Sequence, residues 1–326
     1  MKISKSHLLD GKTISITGSK SISNRLLILG KLFGDLKIEN LSNSQDTQLL
    51  QKALNEDSET VDIHHAGTAM RFLTSFYAIQ EGRKTILTGS ERMKQRPIKP
   101  LVDALRELGA EINYLENEGF PPLEIHGKRI EKNFVKIPAN ISSQFITSLL
   151  LIGASLENGL EIELKGEITS RSYIKMTLKI LKDIGIESRF ERNSIKILSS
   201  ETSLYNKQLE KHFHTSKIKH YTVESDWSSA SYFYSLAAIG KKRIHLKSFY
   251  AYSLQGDSAL KNIYLKFFGV NTISDAAEHL ISLVPDNNFK YPEKFVLDMN
   301  DCPDIAQTVC VTCVALKLPF EISGLG

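Results

Sequence analysis

The stretch GSKSISNR, residues 18–25, packs two cations and three hydroxyls ahead of the apolar run LLILG. A helix starting there leaves its first backbone N–H groups unpaired and turns the positive end of its dipole outward, which attracts anions. Lys20 adds a compact ammonium. Arg25 adds a planar fork that can hold two oxygens of one phosphate or carboxylate. A plain N-cap followed by a solvated charge pair accounts for the spacing equally well. The pattern recurs, however. HAGTAMR places Gly67 and Thr68 at a helix start with Arg71 one turn inside. ERMKQRPIKP carries Arg92, Lys94, Arg96 and Lys99, with Pro97 expected in the first turn of the next helix. ISSQ supplies Ser142, Ser143 and Gln144; ITSRSYI supplies Ser170, Arg171 and Tyr173. Polar helix starts in series, several rich in cations, point to a ligand bearing phosphate or carboxylate groups.

Acidic residues stand out at Asp226 in VESDWSSAS and Asp304 in MNDCPDIAQ. N-cap chemistry explains either, and no paired carboxylate is visible near Asp304. Cys310 and Cys313 have the spacing of half a zinc site, but they lie in an apolar helix without a second pair, so buried thiols are expected. Ser142 and Ser143 lack a His/Asp arrangement that would make either a nucleophile. No GxxxxGK[ST] loop is present. Arg83 reads as a solvated strand-edge residue.

These groups need elements to hold them. Two kinds of helix alternate along the 326 residues. One kind opens on small polar residues and turns apolar: KSISNRLLILGKL, AGTAMRFLTSFYAI, SSQFITSLLLIGA, SDWSSASYFYSLAAI and CPDIAQTVCVTCVAL. Their starts are taken at Gly67, Ser143, Ser228 and Asp304. The other kind is amphipathic and ends in Gly109, Gly185 or Gly269, each placed as a left-handed C-terminal cap. Short alternating stretches such as RKTILTG and LEIELKG lie between them and read as half-buried strands. The unit is therefore β-α-β-α-β-β, repeated about every 80 residues. The length favours two domains. A net charge of +4 is too small to suggest a nucleic-acid partner. No run is long enough for a membrane span, and three cysteines argue for a reducing, cytoplasmic setting.

In order along the chain, GSKSISNR, AGTAMR, LTGSERMKQRPI, SSQF, VESDWSSASYF, LQGD and DMNDCPD closely resemble the motifs of the enolpyruvyl transferases, in the branch that acts on shikimate 3-phosphate. The resemblance spans the whole chain. It implies a two-domain α/β (α+β) protein, an inside-out α/β barrel of repeated βαβαββ units. Residues 20–224 would form a substrate-binding domain of three units. Residues 1–19 and 225–326 would form a second domain of about one and a half units, with its second half missing. It also implies transfer of the enolpyruvyl group of phosphoenolpyruvate to the 5-hydroxyl of shikimate 3-phosphate, with release of phosphate, in the shikimate pathway to chorismate and aromatic amino acids. No metal, organic cofactor, nucleic acid or membrane is implied, and a complete chain would be a monomer.

Roles follow residue by residue from the same resemblance. Lys20 would touch both substrates and assist proton transfer. Ser21, Arg25, Ser142, Ser143, Ser170 and Tyr173 would hold shikimate 3-phosphate, and Gln144 would bridge the two substrates. Gly67 and Arg96 would meet phosphoenolpyruvate. Asp304 would be the base on the attacking hydroxyl. Two residues depart from the pattern. His65 replaces a common Asn beside phosphoenolpyruvate, and Phe72 replaces a common Pro, a change placed to shift the helix carrying Gly67. The chain also stops before the family's KETDR motif and later cationic motifs, so truncation is expected. That leaves as alternatives a non-catalytic fragment that binds shikimate 3-phosphate only and, less favoured, an enzyme acting on UDP-N-acetylglucosamine.

Overall fold

The computed structural model describes residues 7–34, 36–168, 171–202 and 220–325. In chain order the elements begin β1 (Lys12–Ser15), α1 (Lys20–Phe33), β2 (Lys37–Glu39) and α2 (Gln45–Asn55). A full repeat follows: β3 (Thr60–Asp62), α3 (Gly67–Ala78), β4 (Lys84–Thr88), α4 (Lys99–Leu108), β5 (Glu111–Tyr114) and β6 (Leu123–His126). The next is β7 (Phe134–Pro138), α5 (Ser143–Gly153), β8 (Leu160–Lys165), α6 (Arg171–Asp183), β9 (Ser188–Glu191) and β10 (Ser194–Ile197). After β11 (His220–Thr222) come α7 (Trp227–Gly240), β12 (Ile244–Lys247), α8 (Leu260–Phe268), β13 (Val270–Asp275) and β14 (Leu280–Pro285). The chain closes with β15 (Phe295–Asp298), α9 (Ala306–Ala315) and β16 (Phe320–Ser323).

Contacts divide the chain into two compact units, Lys20–Val223 and a second one made of Met1–Ser19 with Glu224–Gly326. Three four-stranded sheets share one plan. In β3-β4-β6-β5 and β7-β8-β10-β9, two parallel strands flank a helix in sequence and an antiparallel hairpin completes the sheet. The sheet β1-β12-β14-β13 repeats that order in the second unit. Here the leading strand is not contiguous with its repeat. β1 pairs in parallel with β12, Lys12 opposite Ile244, more than 200 residues away. Correspondingly, β11 leads α1, with His220 opposite Lys37 in the parallel pair β11-β2. β1 thus precedes α1 in the chain but belongs to the other unit. The α1-β2-α2 repeat also runs from Asn55 to Thr60 with no hairpin between its second helix and β3.

Helix starts and stops follow local chemistry. Ser44 caps α2 by accepting from Thr47 N, and Asp226 caps α7 by accepting from Ser229 N at 2.7 Å. α4 and α8 end in left-handed Gly109 (φ 109°) and Gly269 (φ 66°), and Gly185 (φ 96°) follows α6. α3 is buried along all twelve residues and α5 at every position but Gln144. A helix apolar on all sides must be surrounded, and α1, α3 and α5 pack against one another, with α3 also against β4 and β6 and α5 also against α6. The second unit buries an aromatic core, with Trp227 against Phe249 (4.9 Å between ring centres) and Tyr264 against Phe268 (4.7 Å). No helix among the described residues is long and apolar enough to cross a membrane.

Several local expectations are corrected. Pro97 precedes the N-cap residue Ile98, and Pro100 takes the first turn of α4. The helix read from Ser228 starts at Trp227. Cys302 and Cys313 are buried, but Cys310 is only half-buried. Arg83 is no free surface cation. Its guanidinium lies 4.9 Å from the Tyr77 ring, bonds Thr85 Oγ1 at 3.1 Å and reaches the Ser58 carbonyl at 3.2 Å.

Candidate functional site

In the unit Lys20–Val223 the buried helices present their first two turns together. Lys20 is the first residue of α1 and is half-buried, as is Ser21. One turn in, Arg25 is 3% exposed. Its Nη1 donates to the Ser21 carbonyl at 2.6 Å, its Nε to Thr177 Oγ1 at 2.8 Å and its Nη2 to Thr147 Oγ1 at 3.3 Å. The rings of Phe72 and Tyr173 lie 5.7 and 5.9 Å from its Cζ. Burial pushes its pKa down to about 10. Among the described residues its hydrogen-bond partners are all neutral, and it lies in a low-dielectric place where an anion would interact strongly.

A second group gathers at the start of α3. Gly67 opens the helix, and a Cβ there would lie 2.9 Å from Arg96 Cζ and 3.0 Å from Arg71 Nη1. The glycine thus admits two guanidinium groups against the backbone at a helix N-terminus. α3 opens at Gly67 with Phe72 in place of Pro, and the Phe72 ring lies beside Arg25 instead. His65 Nε2 stands 3.9 Å from Asp46 Oδ2, and His65 Nδ1 lies 2.8 Å from His64 Nδ1.

Ser142 caps α5 by accepting from Gln144 N at 3.4 Å, Ser143 is buried and Gln144 is half-buried. Tyr173 is half-buried in the first turn of α6. Ser170 lies outside the described residues. The two anion-seeking groups share a wall. Ser148 Oγ donates to the Arg71 carbonyl and meets Ser75 Oγ, both at 2.6 Å, while neighbouring Thr147 reaches Arg25.

Asp304 belongs to the other unit. It sits exposed in a 3-10 turn, Pro303–Ile305, that leads into α9, so the N-cap reading is corrected. Nor are carboxylates scarce nearby. Burial first, then Asp257, Asp301, Asp298 and Asp304, raises the Cys302 thiol to about 12. In the same unit Glu224 is buried, and its carboxylate accepts from Trp227 Nε1 (2.9 Å), Tyr250 N (3.0 Å), Gln255 Nε2 (2.9 Å) and Ser253 Oγ.

Thr147, Thr177 and Arg71 were not among the residues assigned to either substrate from sequence. A shared signal could have found them: each stands four residues after an assigned one, at Ser143, Tyr173 and Gly67, as Arg25 stands four after Ser21. Positions i and i+4 lie on one helix face.

Known proteins resemble this chain over most of its length. A family model described as EPSP synthase (3-phosphoshikimate 1-carboxyvinyltransferase) matches residues 50–326. A protein of that name from Bacteroides fragilis is 45% identical across 96% of this chain and 72% of its own length. One from Haemophilus influenzae is 36% identical, with 93% and 72% covered. The solved EPSP synthase of Acinetobacter baumannii superposes with a TM-score of 0.67 over 94% of this chain and 73% of its own at 18% identity, which shows a shared mixed α/β fold. By the family match and the identity to these relatives, the chain belongs to the EPSP synthase family.

Proposed function

We propose that the chain performs the reaction of its family, moving the enolpyruvyl group of phosphoenolpyruvate to the 5-hydroxyl of shikimate 3-phosphate with release of phosphate. Arg25 carries the reading: a 3% exposed guanidinium, bound among the described residues to two hydroxyls and a carbonyl, is suited to a phosphate. In this reading Arg25, Ser21, Ser142, Ser143, Ser170 and Tyr173 hold shikimate 3-phosphate. Gly67 and Arg96 receive phosphoenolpyruvate, Gln144 bridges the substrates, and Lys20 contacts both. Asp304 accepts the proton of the 5-hydroxyl as its oxygen attacks C2 of phosphoenolpyruvate, and a proton is added at C3. Loss of phosphate and of one methyl proton from the tetrahedral adduct restores the double bond, with Lys20 assisting proton transfer. The repeats are read as parts of an inside-out α/β barrel; burial of α3 on all sides supports helices lying innermost. We read the protein as a cytoplasmic monomer.

Calorimetry and phosphate release test the proposal. Shikimate 3-phosphate should bind and UDP-N-acetylglucosamine should not, and phosphate should leave phosphoenolpyruvate only when shikimate 3-phosphate is present. The opposite ligand preference would sink the substrate assignment. Binding without phosphate release would sink the transfer step for this chain.

A further inference from the structure

Arg71 is assigned to neither substrate above, and its surroundings differ from those of an ordinary core arginine. It is 5% exposed, and its buried Nε has no hydrogen-bond partner among the described residues. Nη1 donates to the Gly67 carbonyl at 2.9 Å and Nη2 reaches the Pro97 carbonyl at 3.4 Å. The Phe145 ring lies 5.7 Å from its Cζ. Among the described residues no carboxylate pairs with Arg71 or with Arg96. Burial, with repulsion from Arg96 added, pushes the Arg71 pKa down to about 10. A buried cation facing a second cation is unfavourable unless something else fills the site.

The bonds of Arg71 show what it does. Gly67 O belongs to the first turn of α3, and Pro97 O belongs to the residue just after Arg96. One guanidinium therefore ties together the two segments that meet at Gly67. We propose that Arg71 is a positioning residue of the anion site at the start of α3: it holds the Arg96 segment over Gly67 and adds a second positive charge that the phosphate group of phosphoenolpyruvate balances. The proposal rests on the assignment of Gly67 and Arg96 to phosphoenolpyruvate made above.

Thermal unfolding of the wild-type chain, Arg71→Lys and Arg71→Met tests it, each protein alone, with shikimate 3-phosphate, and with shikimate 3-phosphate plus increasing phosphoenolpyruvate. Shikimate 3-phosphate should raise the midpoint of all three equally, since Arg25 holds that ligand. Phosphoenolpyruvate should raise the wild-type midpoint further. Its apparent Kd, from the concentration dependence of that second shift, should be weaker in both variants by at least about tenfold, or about 1.4 kcal/mol. Lysine keeps the charge but cannot bond both carbonyls from one planar group. An unchanged second shift in the variants overturns the proposal. So does a proportionate loss of both shifts, which would mark a residue that only supports the fold. If Arg71→Met does not fold, Arg71→Lys decides by the same criteria. A wild-type chain that shows the first shift without the second also overturns it. A wild-type chain that shows no shift with shikimate 3-phosphate overturns the functional reading, and this proposal with it.

Discussion

At Arg25 a single guanidinium joins three helices, through Ser21 on α1, Thr147 on α5 and Thr177 on α6. A hydrogen bond to a charged group is worth about 1.5–3 kcal/mol. Arg25→Ala should therefore weaken shikimate 3-phosphate at least about tenfold by calorimetry. Arg83→Ala should lower stability and leave affinity unchanged, because Arg83 is stapled to Tyr77, Thr85 and a loop carbonyl away from these groups. Equal losses of affinity would show that the anion cradle is misplaced. Glu224 has a different signature. Burial raises its pKa above the ordinary 4.5, against four hydrogen bonds that lower it. The folded chain thus keeps this proton to a higher pH than the unfolded chain does. Between 4.5 and the folded value the unfolded state has already released it, so this group's contribution to stability falls as pH rises through that window. Glu224→Gln should remove that component from the pH dependence of the urea midpoint. A variant with the wild-type slope would show that burial does not govern this carboxyl.

At the scale of elements, caps and left-handed glycines set where helices begin and end. Asp226→Ala leaves Ser229 N without its acceptor at the start of α7 and should cost about 1 kcal/mol in urea unfolding. Gly269 after α8 is more constrained. Its φ is 66°, and a Cβ would also run into the Phe289 ring. Left-handed strain and overpacking together put Gly269→Ala at about 2 kcal/mol or more. Adding Phe289→Ala should recover the part of the overpacking that comes from the ring, and leave the backbone share and the contact with the remaining Cβ of residue 289. If the double variant recovers nothing, the ring contact does not contribute. The same element logic explains the buried hydroxyls. Thr147, Thr177, Ser75 and Ser148 lie inside a bundle of apolar helices, where each finds a partner, and so specify which helix faces meet.

At the scale of the molecule, the chain passes between its two units twice, at Ser19–Lys20 and Val223–Glu224. Each passage carries a strand away from its sequence neighbours. β1 forms one side of the β1-β12-β14-β13 sheet, and β11 pairs with β2. Deletion of residues 1–16 should therefore speed hydrogen exchange in β12, β14 and α7, whose sheet loses an edge. Protection in β4, β6 and β8 should not change, since their sheets draw no strand from the deleted segment. Uniform loss of protection across both units would refute this division of the fold.

Much of this protein was legible as a string of residues because the governing physics is short-ranged. A cap needs an oxygen within three residues of an N–H, as at Asp226. A left-handed stop needs a residue without Cβ, as at Gly109 and Gly269. Helix starts dressed with Lys20, Arg25, Gly67 and Ser143 read as candidate anion sites for the same local reason. Tertiary structure decided what local chemistry does not encode. Alternation tells a strand which face to bury but not which partner to take, so nothing near Lys12 names Ile244 and nothing near Lys37 names His220. The NDCPD segment offers an acid at several positions, and only packing around Cys302 put Asp304 in a 3-10 turn among other carboxylates. Arg71 looked like one more helix cation until burial left its Nε without a partner and set its guanidinium beside Arg96 at Gly67. The value of that charge depends on dielectric and neighbours, and only the folded chain supplies both.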